Sequence, residues 1–149
     1  MVTLKKSNSK DPDFIKLVKL LDADLKVRDG EEHDFYAQFN GIEDMELVIV
    51  AYRELTPIGC GALKEYNNNS MEIKRMFVMP QERGKGIASM ILMTMEKWAR
   101  NNNFSFCILE TGLRQPEAIA LYRKNDYLTQ PNYGPYKGIP NSVCFIKKL

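Results

Sequence analysis

The sequence predicts an α/β domain in which strand-like stretches are interleaved with amphipathic helices. Two segments carry apolar residues at helical spacing: Phe14, Leu17, Val18, Leu21 and Leu25, then Ile87, Ile91, Met95 and Trp98. Between and after them lie short apolar runs bounded by Asn, Gly, Pro and Ser, the pattern of strands and their turns. With 149 residues, 44% of them hydrophobic, the chain is long enough to bury a real core, and residues 1–149 read as one domain. No internal repeat or low-complexity linker divides it.

The elements follow in order. Val2 to Ser7 reads as a first strand. Asp11-Pro12 then supplies a cap and a first-turn proline for a helix whose apolar face begins at Phe14. Between Arg28 and Met45 the pattern is less regular; a short second helix around Glu32 to Phe39 and a loop through Asn40-Gly41 fit it. Glu46 to Glu54 reads as a strand turned at Thr56-Pro57. Ile58 to Tyr66 is the next, and Asn67 to Ser70 is its turn. Met71 to Met79 is the central strand. The helix from Ile87 has Ala88, Leu92 and Ala99 widening its buried stripe, and Met90 and Met93 are expected to pack on or beside that face. Phe104 to Glu110 reads as a strand for the middle of a sheet. Pro116 to Lys124 is a capped helix, Tyr133-Gly134-Pro135-Tyr136 a rigid aromatic loop, and Ser142 to Lys148 a closing strand.

Composition narrows the function. Lys and Arg total 21 against 19 acidic residues, and a net charge of +2 is too small to imply a nucleic-acid partner. The first residues lack the apolar core of a signal peptide, and no apolar run approaches a membrane span, so no membrane partner and a cytoplasmic location are expected. Cys60, Cys107 and Cys144 are widely spaced in strand-like sequence and read as reduced core residues, not as a disulfide set or a zinc site. No metal is expected.

The chemistry concentrates in the run from Glu72 to Ala99. Gln81-Glu82-Arg83-Gly84-Lys85-Gly86 sits where strand becomes helix. The first N–H groups of a helix have no intrahelical partner, and with the aligned peptide dipoles they form a site for phosphate oxygens. Gly84 and Gly86 present no side chain to block a ligand. Arg83 and Lys85 add positive charge, by contact or through the local potential. This reads as a pyrophosphate cradle for a nucleotide-like cofactor, set against the plainer reading of a glycine loop with solvated bases. The loop lacks the Lys-Ser or Lys-Thr pair of a P-loop and the three-glycine dinucleotide fingerprint.

Gln81, Gly84 and Gly86, with Arg75 to Pro80 before them, resemble the acyl-coenzyme A site of the GCN5-related N-acetyltransferase (GNAT) family. Gln115 to Tyr127 resembles that family's helix ending in Leu-Tyr. The likeness covers most of the chain, is strongest from Glu72 to Tyr127, and is to small bacterial members. It implies a mixed, mostly antiparallel sheet flanked by helices, and an acetyl-coenzyme A-dependent N-acetyltransferase working by direct attack of an amine in a ternary complex. It implies cofactor contacts at Phe77, Val78, Gln81, Arg83, Gly84, Lys85, Gly86, Ile87, Ala88, Gln115 and Tyr122. Tyr122 would protonate the departing thiolate; otherwise it is a half-buried aromatic packed beside Leu121. Two positions depart from the pattern: Gln115 stands for the usual Asn, and Asp126 for the usual glycine, where Asp can still close a helix in a left-handed conformation.

Such a reaction needs a held carbonyl and a proton acceptor. The Val78 N–H is the expected polarising donor. Glu72 and Glu110 are the candidate acceptors, with Glu72 slightly preferred; each reads more simply as a salt-bridging or solvated residue. His33, among Glu31, Glu32 and Asp34, reads more simply as helix surface, and Cys107 as a buried strand residue. The acceptor amine is expected to be a small molecule and to lie against the Arg28 to Met45 region and the Tyr133 to Asn141 loop. Tyr36, Phe39, Tyr133 and Tyr136 are expected to frame it, or else to serve the core or a homodimer contact. The alternative function is a non-catalytic acyl-coenzyme A-binding or regulatory module.

Overall fold

The computed structural model describes residues 1–30 and 45–149. The second helix expected around Glu32 to Phe39, with His33, Tyr36 and Phe39, lies outside the described residues.

Strand β1 (Val2–Ser7) leads into α1 (Pro12–Asp29). The α1 start is built as its sequence suggests: Asp11 stands outside the helix and its carboxylate accepts the Asp13 N–H at 2.9 Å, while Pro12 occupies the first turn. Strands β2 (Leu47–Arg53), β3 (Thr56–Glu65) and β4 (Ser70–Val78) form an antiparallel meander with β1 on its outer edge. Helix α2 (Ile87–Asn101), β5 (Phe106–Gly112), α3 (Pro116–Lys124), β6 (Leu128–Gln130) and β7 (Ser142–Lys148) complete the described chain. The sheet order is β1-β2-β3-β4-β5-β7-β6, and only β4 and β5 run parallel.

Two apolar layers sandwich this sheet, because successive strand side chains point to opposite faces. From β2, Val48 and Val50 meet Phe14, Leu17, Val18 and Leu21 of α1. Leu47, Ile49 and Ala51 meet Ile87, Ile91, Leu92 and Met95 of α2. Strand β2 is thus buried on both faces, and its unbroken apolar run follows from that. Ile91, Leu92 and Met95 have no exposed surface, so truncating any of them to alanine should cost about 2–5 kcal/mol.

Several expectations need correction. The β2–β3 turn falls at Glu54-Leu55, with Glu54 at φ 55°, and Thr56-Pro57 already belong to β3. A proline near the start of a strand beside a register shift removes no needed donor. Met90 and Met93 do not pack with the buried stripe; they are 38% and 61% exposed. At about 100° per residue they fall on the helix side opposite Ile91 and Met95. Glu96 instead is buried in that helix, where it accepts the Tyr127 hydroxyl at 2.8 Å and the Lys147 ammonium at 3.0 Å. Strand β5 begins at Phe106, because Phe104 donates its N–H back to the Ala99 carbonyl and closes α2 after a left-handed Asn103. Strand β6 was not anticipated.

Asp126 adopts φ 71°, and the Tyr127 N–H reaches the Tyr122 carbonyl at 3.0 Å. Aspartate therefore fills the left-handed position after α3 that glycine usually takes. Cys60, Cys107 and Cys144 are free and buried. Among the described residues no helix is long and apolar enough to cross a membrane, and no group of three His, Cys, Asp or Glu is placed to hold a metal ion.

Candidate active site

The site begins with a defect in the sheet. Strands β4 and β5 pair only at Ser70–Phe106, Met71–Cys107 and Glu72–Ile108. Beyond Glu72, the β5 side of β4 has no strand partner. The Met79 N–H donates to the Ile58 carbonyl of β3 at 2.8 Å, so by alternation the preceding carbonyl and the Val78 N–H point the opposite way. The Val78 carbonyl receives Arg83 Nε at 2.8 Å, and the Val78 N–H faces the gap. A bulge in β4 sits just before it. Arg75 has φ 62°, its register with β3 shifts between Cys60 and Ala62, and its guanidinium lies 3.6 Å from Asp22 of α1. The gap opens into a cleft of about 470 Å³ between α1, β4, the loop before α2, β5 and α3.

One end of the cleft is made of backbone. Pro80–Glu82 form a single 3-10 turn, then Gly84 takes φ 78° and Gly86 φ 81° as the residue capping α2. A Cβ at either glycine would meet no atom within 4 Å. Positive φ is thus the reason for glycine here, and the space beside each is open for a ligand. The N–H groups of the first α2 turn converge on this opening.

The side chains of this loop are mostly occupied with one another. Glu82 takes both Arg53 nitrogens at 2.8–3.2 Å and Lys85 Nζ at 3.3 Å. The Arg53 hydrogen bond, aided by Lys85, holds the Glu82 carboxyl below its usual range. Arg83 ties the loop to β4 through the Val78 carbonyl and lays its guanidinium 5.5 Å from the Phe77 ring centre. Phe77, Val78, Arg83, Gly84, Gly86, Ile87, Ala88, Gln115 and Tyr122 all line the cleft. Gln81, exposed in the 3-10 turn, and Lys85, turned to Glu82, do not.

The other end is made of side chains from distant elements. Tyr122 of α3 is 5% exposed, with its ring against Tyr127 and Phe145. Its hydroxyl lines the cleft without a hydrogen bond among the described residues. Burial, and then the nearby Glu110 carboxylate, push its phenol up, so it stays protonated at neutral pH. Glu110 of β5 accepts the Ser142 hydroxyl at 2.7 Å. Burial pushes its carboxyl up to about 7; Ser142 opposes this, Asp29 and Glu72 add to it, and Lys74 opposes it. Glu72 accepts the Tyr133 hydroxyl at 2.6 Å and lies 3.9 Å from Lys74 Nζ. Tyr136, buried, closes the cleft beside them, while Tyr133 packs on Tyr66 and Tyr136 and is committed to Glu72.

A strap crosses the mouth between helices. Arg28 near the end of α1 pairs with Asp24 at 3.2 Å and with Glu117 at the start of α3. Arg114 donates to the Asp29 carbonyl in return. The partners Ser142, Tyr133 and Arg28 were not legible as a set, because each becomes a neighbour of the cleft only through the sheet topology. Burial pushes the Cys60 and Cys107 thiols up to about 12 and that of Cys144 up to about 11, so none offers a thiolate near neutral pH.

Taken together, the cleft offers a free strand edge, an open glycine loop at a helix N-terminus, a protonated phenol and a carboxyl pushed up to about 7. A profile of the acetyltransferase (GNAT) family matches residues 14–127. A protein of Azospirillum brasilense named IAA acetyltransferase is 33% identical, with 99% of this chain and 98% of that protein covered. A solved structure from Klebsiella pneumoniae, provisionally named an acyl-CoA N-acyltransferase, superposes with a TM-score of 0.84 at 30% identity, covering 100% of this chain and 98% of its own. The PaiA N-acetyltransferase of Thermoplasma acidophilum, solved with coenzyme A, shares the fold with a TM-score of 0.74 at 18% identity, covering 100% of this chain and 99% of its own.

Proposed function

We propose a specific reaction for this chain, which belongs to the acetyltransferase (GNAT) family and draws its acetyl group from acetyl-coenzyme A. The reaction is direct transfer of the acetyl group to an amine while both substrates are bound. The donor fits what is built: the Gly84–Gly86 cradle and α2 N-terminus suit the pyrophosphate, and the unpaired β4 edge at Phe77 and Val78 suits the amides of the pantetheine arm.

The chain's groups then divide the work. The Val78 N–H polarises the thioester carbonyl. Glu110 takes a proton from the amine, directly or through water, as the C–N bond forms. Tyr122 gives its phenolic proton to the sulfur as the C–S bond breaks, and regains one by way of solvent and Glu110. Between the two carboxyls, Glu110 suits the acceptor role better than Glu72. Its carboxyl is held near neutrality, whereas Glu72 has a 2.6 Å phenol and a lysine beside it. The observation that supports this reading is the pairing, in one cleft, of Glu110 poised near pH 7 with a Tyr122 hydroxyl that has no hydrogen bond among the described residues.

The test is a screen of small amines with purified protein and acetyl-coenzyme A, reading free thiol and confirming the product by mass. The Azospirillum relative is named for IAA, so IAA is screened alongside the amines. Saturable coenzyme A binding with no acetylated product from any acceptor would instead favour a binding or regulatory module.

A further inference from the structure

The loop between β6 and β7, together with Ser142 where β7 begins opposite Gly112 of β5, carries the donors for both cleft carboxyls. Tyr133 reaches Glu72, and Ser142 reaches Glu110. Tyr136, between them, lines the cleft. The loop backbone supplies turns at Tyr136, Lys137, Ile139 and Ser142, and one tie to the rest of the chain, from the Leu113 N–H to the Asn141 carbonyl at 2.9 Å. The additional tie is one side chain. The Asn132 amide nitrogen donates to the carbonyls of Tyr136 at 3.1 Å, Ile139 at 3.1 Å and Ser142 at 3.2 Å. Two hydrogens serve three acceptors drawn from the whole span of the loop, so losing the amide removes three contacts at once, while the Tyr136 and Ile139 carbonyls keep the Ile139 and Ser142 N–H groups.

We propose that Asn132 is a positioning residue: its amide fixes the 132–142 loop so that the Ser142 hydroxyl and the Tyr133 phenol meet Glu110 and Glu72. Asn132 touches no reacting atom. It acts through Ser142, whose hydrogen bond stabilises the ionised form of Glu110 and so sets the pH at which that carboxyl becomes a base. The other groups facing Glu110 are Asp29 of α1, Glu72 and Lys74 of β4, Tyr122 of α3, Tyr136 of the loop and Cys144 of β7. None of these is held by Asn132 except Tyr136, through its carbonyl.

The catalytic consequence rests on the proposed base role of Glu110, but the test does not. Carboxyl-labelled glutamate NMR titrates Glu110 directly, with its resonance assigned by Glu110→Gln. Asn132→Ala and Ser142→Ala should each raise the Glu110 midpoint by about one pH unit, the size expected for a lost hydrogen bond to an ionised group. The double variant should go no further, because both changes remove the same contact. Thermal unfolding and coenzyme A binding confirm that each variant is folded. If Asn132→Ala does not fold, Asn132→Ser, too short to span the loop, takes its place under the same outcomes. An unmoved midpoint in a folded variant, or shifts that add in the double variant, would overturn the proposal. If the shifts appear while Glu110→Gln acetylates an amine at the native rate, the positioning stands and the base role falls.

Discussion

The two ends of the cleft are built from different materials. The cradle end is backbone, drawn from Phe77 to Ala88, and its chemistry lies in N–H groups and in two glycines at positive φ. The opposite end is assembled from side chains between Glu72 and Ser142, where burial pushes both a carboxyl and a phenol up. Backbone donors carry no identity of their own, so the cradle end suits a donor shared across many reactions. Side chains gathered by topology can be exchanged one at a time, so the other end is where individuality resides.

Removing the carboxyl should hurt most and only at one end. Glu110→Gln is expected to lower turnover of any amine acceptor about 100- to 1,000-fold while leaving coenzyme A affinity unchanged, as checked by steady-state kinetics and calorimetry. The native pH profile should rise through about 7, where the Glu110 carboxyl ionises. The same variant should separate function from stability. Because the folded carboxyl titrates near 7 against an ordinary 4.5, its contribution is fully present below about pH 4.5 and is lost as pH rises through 7. Glu110→Gln should therefore be more stable than the native chain by roughly 3 kcal/mol at alkaline pH, and not at acid pH, in denaturant melts.

The converse change attacks the cradle. Gly86→Asp should weaken coenzyme A binding about 100-fold, from a carboxylate beside phosphates and strain at φ 81°, with a smaller fall in thermal stability. Unchanged affinity in a folded variant would dissolve the distinction between the two ends. Tyr122→Phe is milder. It keeps the packing on Tyr127 and Phe145, and it should slow thiol release about tenfold when chemistry limits the rate, with cofactor affinity preserved. Equal turnover under those conditions would hand the proton to water instead.

The same contrast explains what could be read in advance. The cradle was legible because its meaning is local: a strand, Pro80, two glycines and an amphipathic helix follow one another. The bounds of β1, α3 and β7 were legible for the same reason, through turn residues and the first-turn Pro116, although Gln115 caps α3 with no side-chain hydrogen bond. Met90 and Met93 misled because sulfur-bearing side chains near a buried stripe say little about which side they face. Glu96 escaped notice because its burial depends on Tyr127 and Lys147 arriving from elsewhere. Glu72 and Glu110 were named together as candidate acceptors, and the proposed choice of Glu110 could not be made from the sequence. What separates them is the partners they meet, the Ser142 hydroxyl for Glu110 and the Tyr133 hydroxyl with Lys74 for Glu72, and neither set is written in the strand that bears the glutamate.

The short pairing of β4 with β5 has a mechanical consequence. Three residue pairs join the meander to the β5–β7–β6 leaf, so the ladder between the two leaves of the sheet is short. A pantetheine arm laid along Phe77 and Val78 would splint them, so the substrate supplies rigidity that the polypeptide withholds. Amide exchange from Ile73 to Val78 should slow when coenzyme A binds, while exchange within β2 stays as it was; equal protection with and without ligand would mean the leaves are already locked.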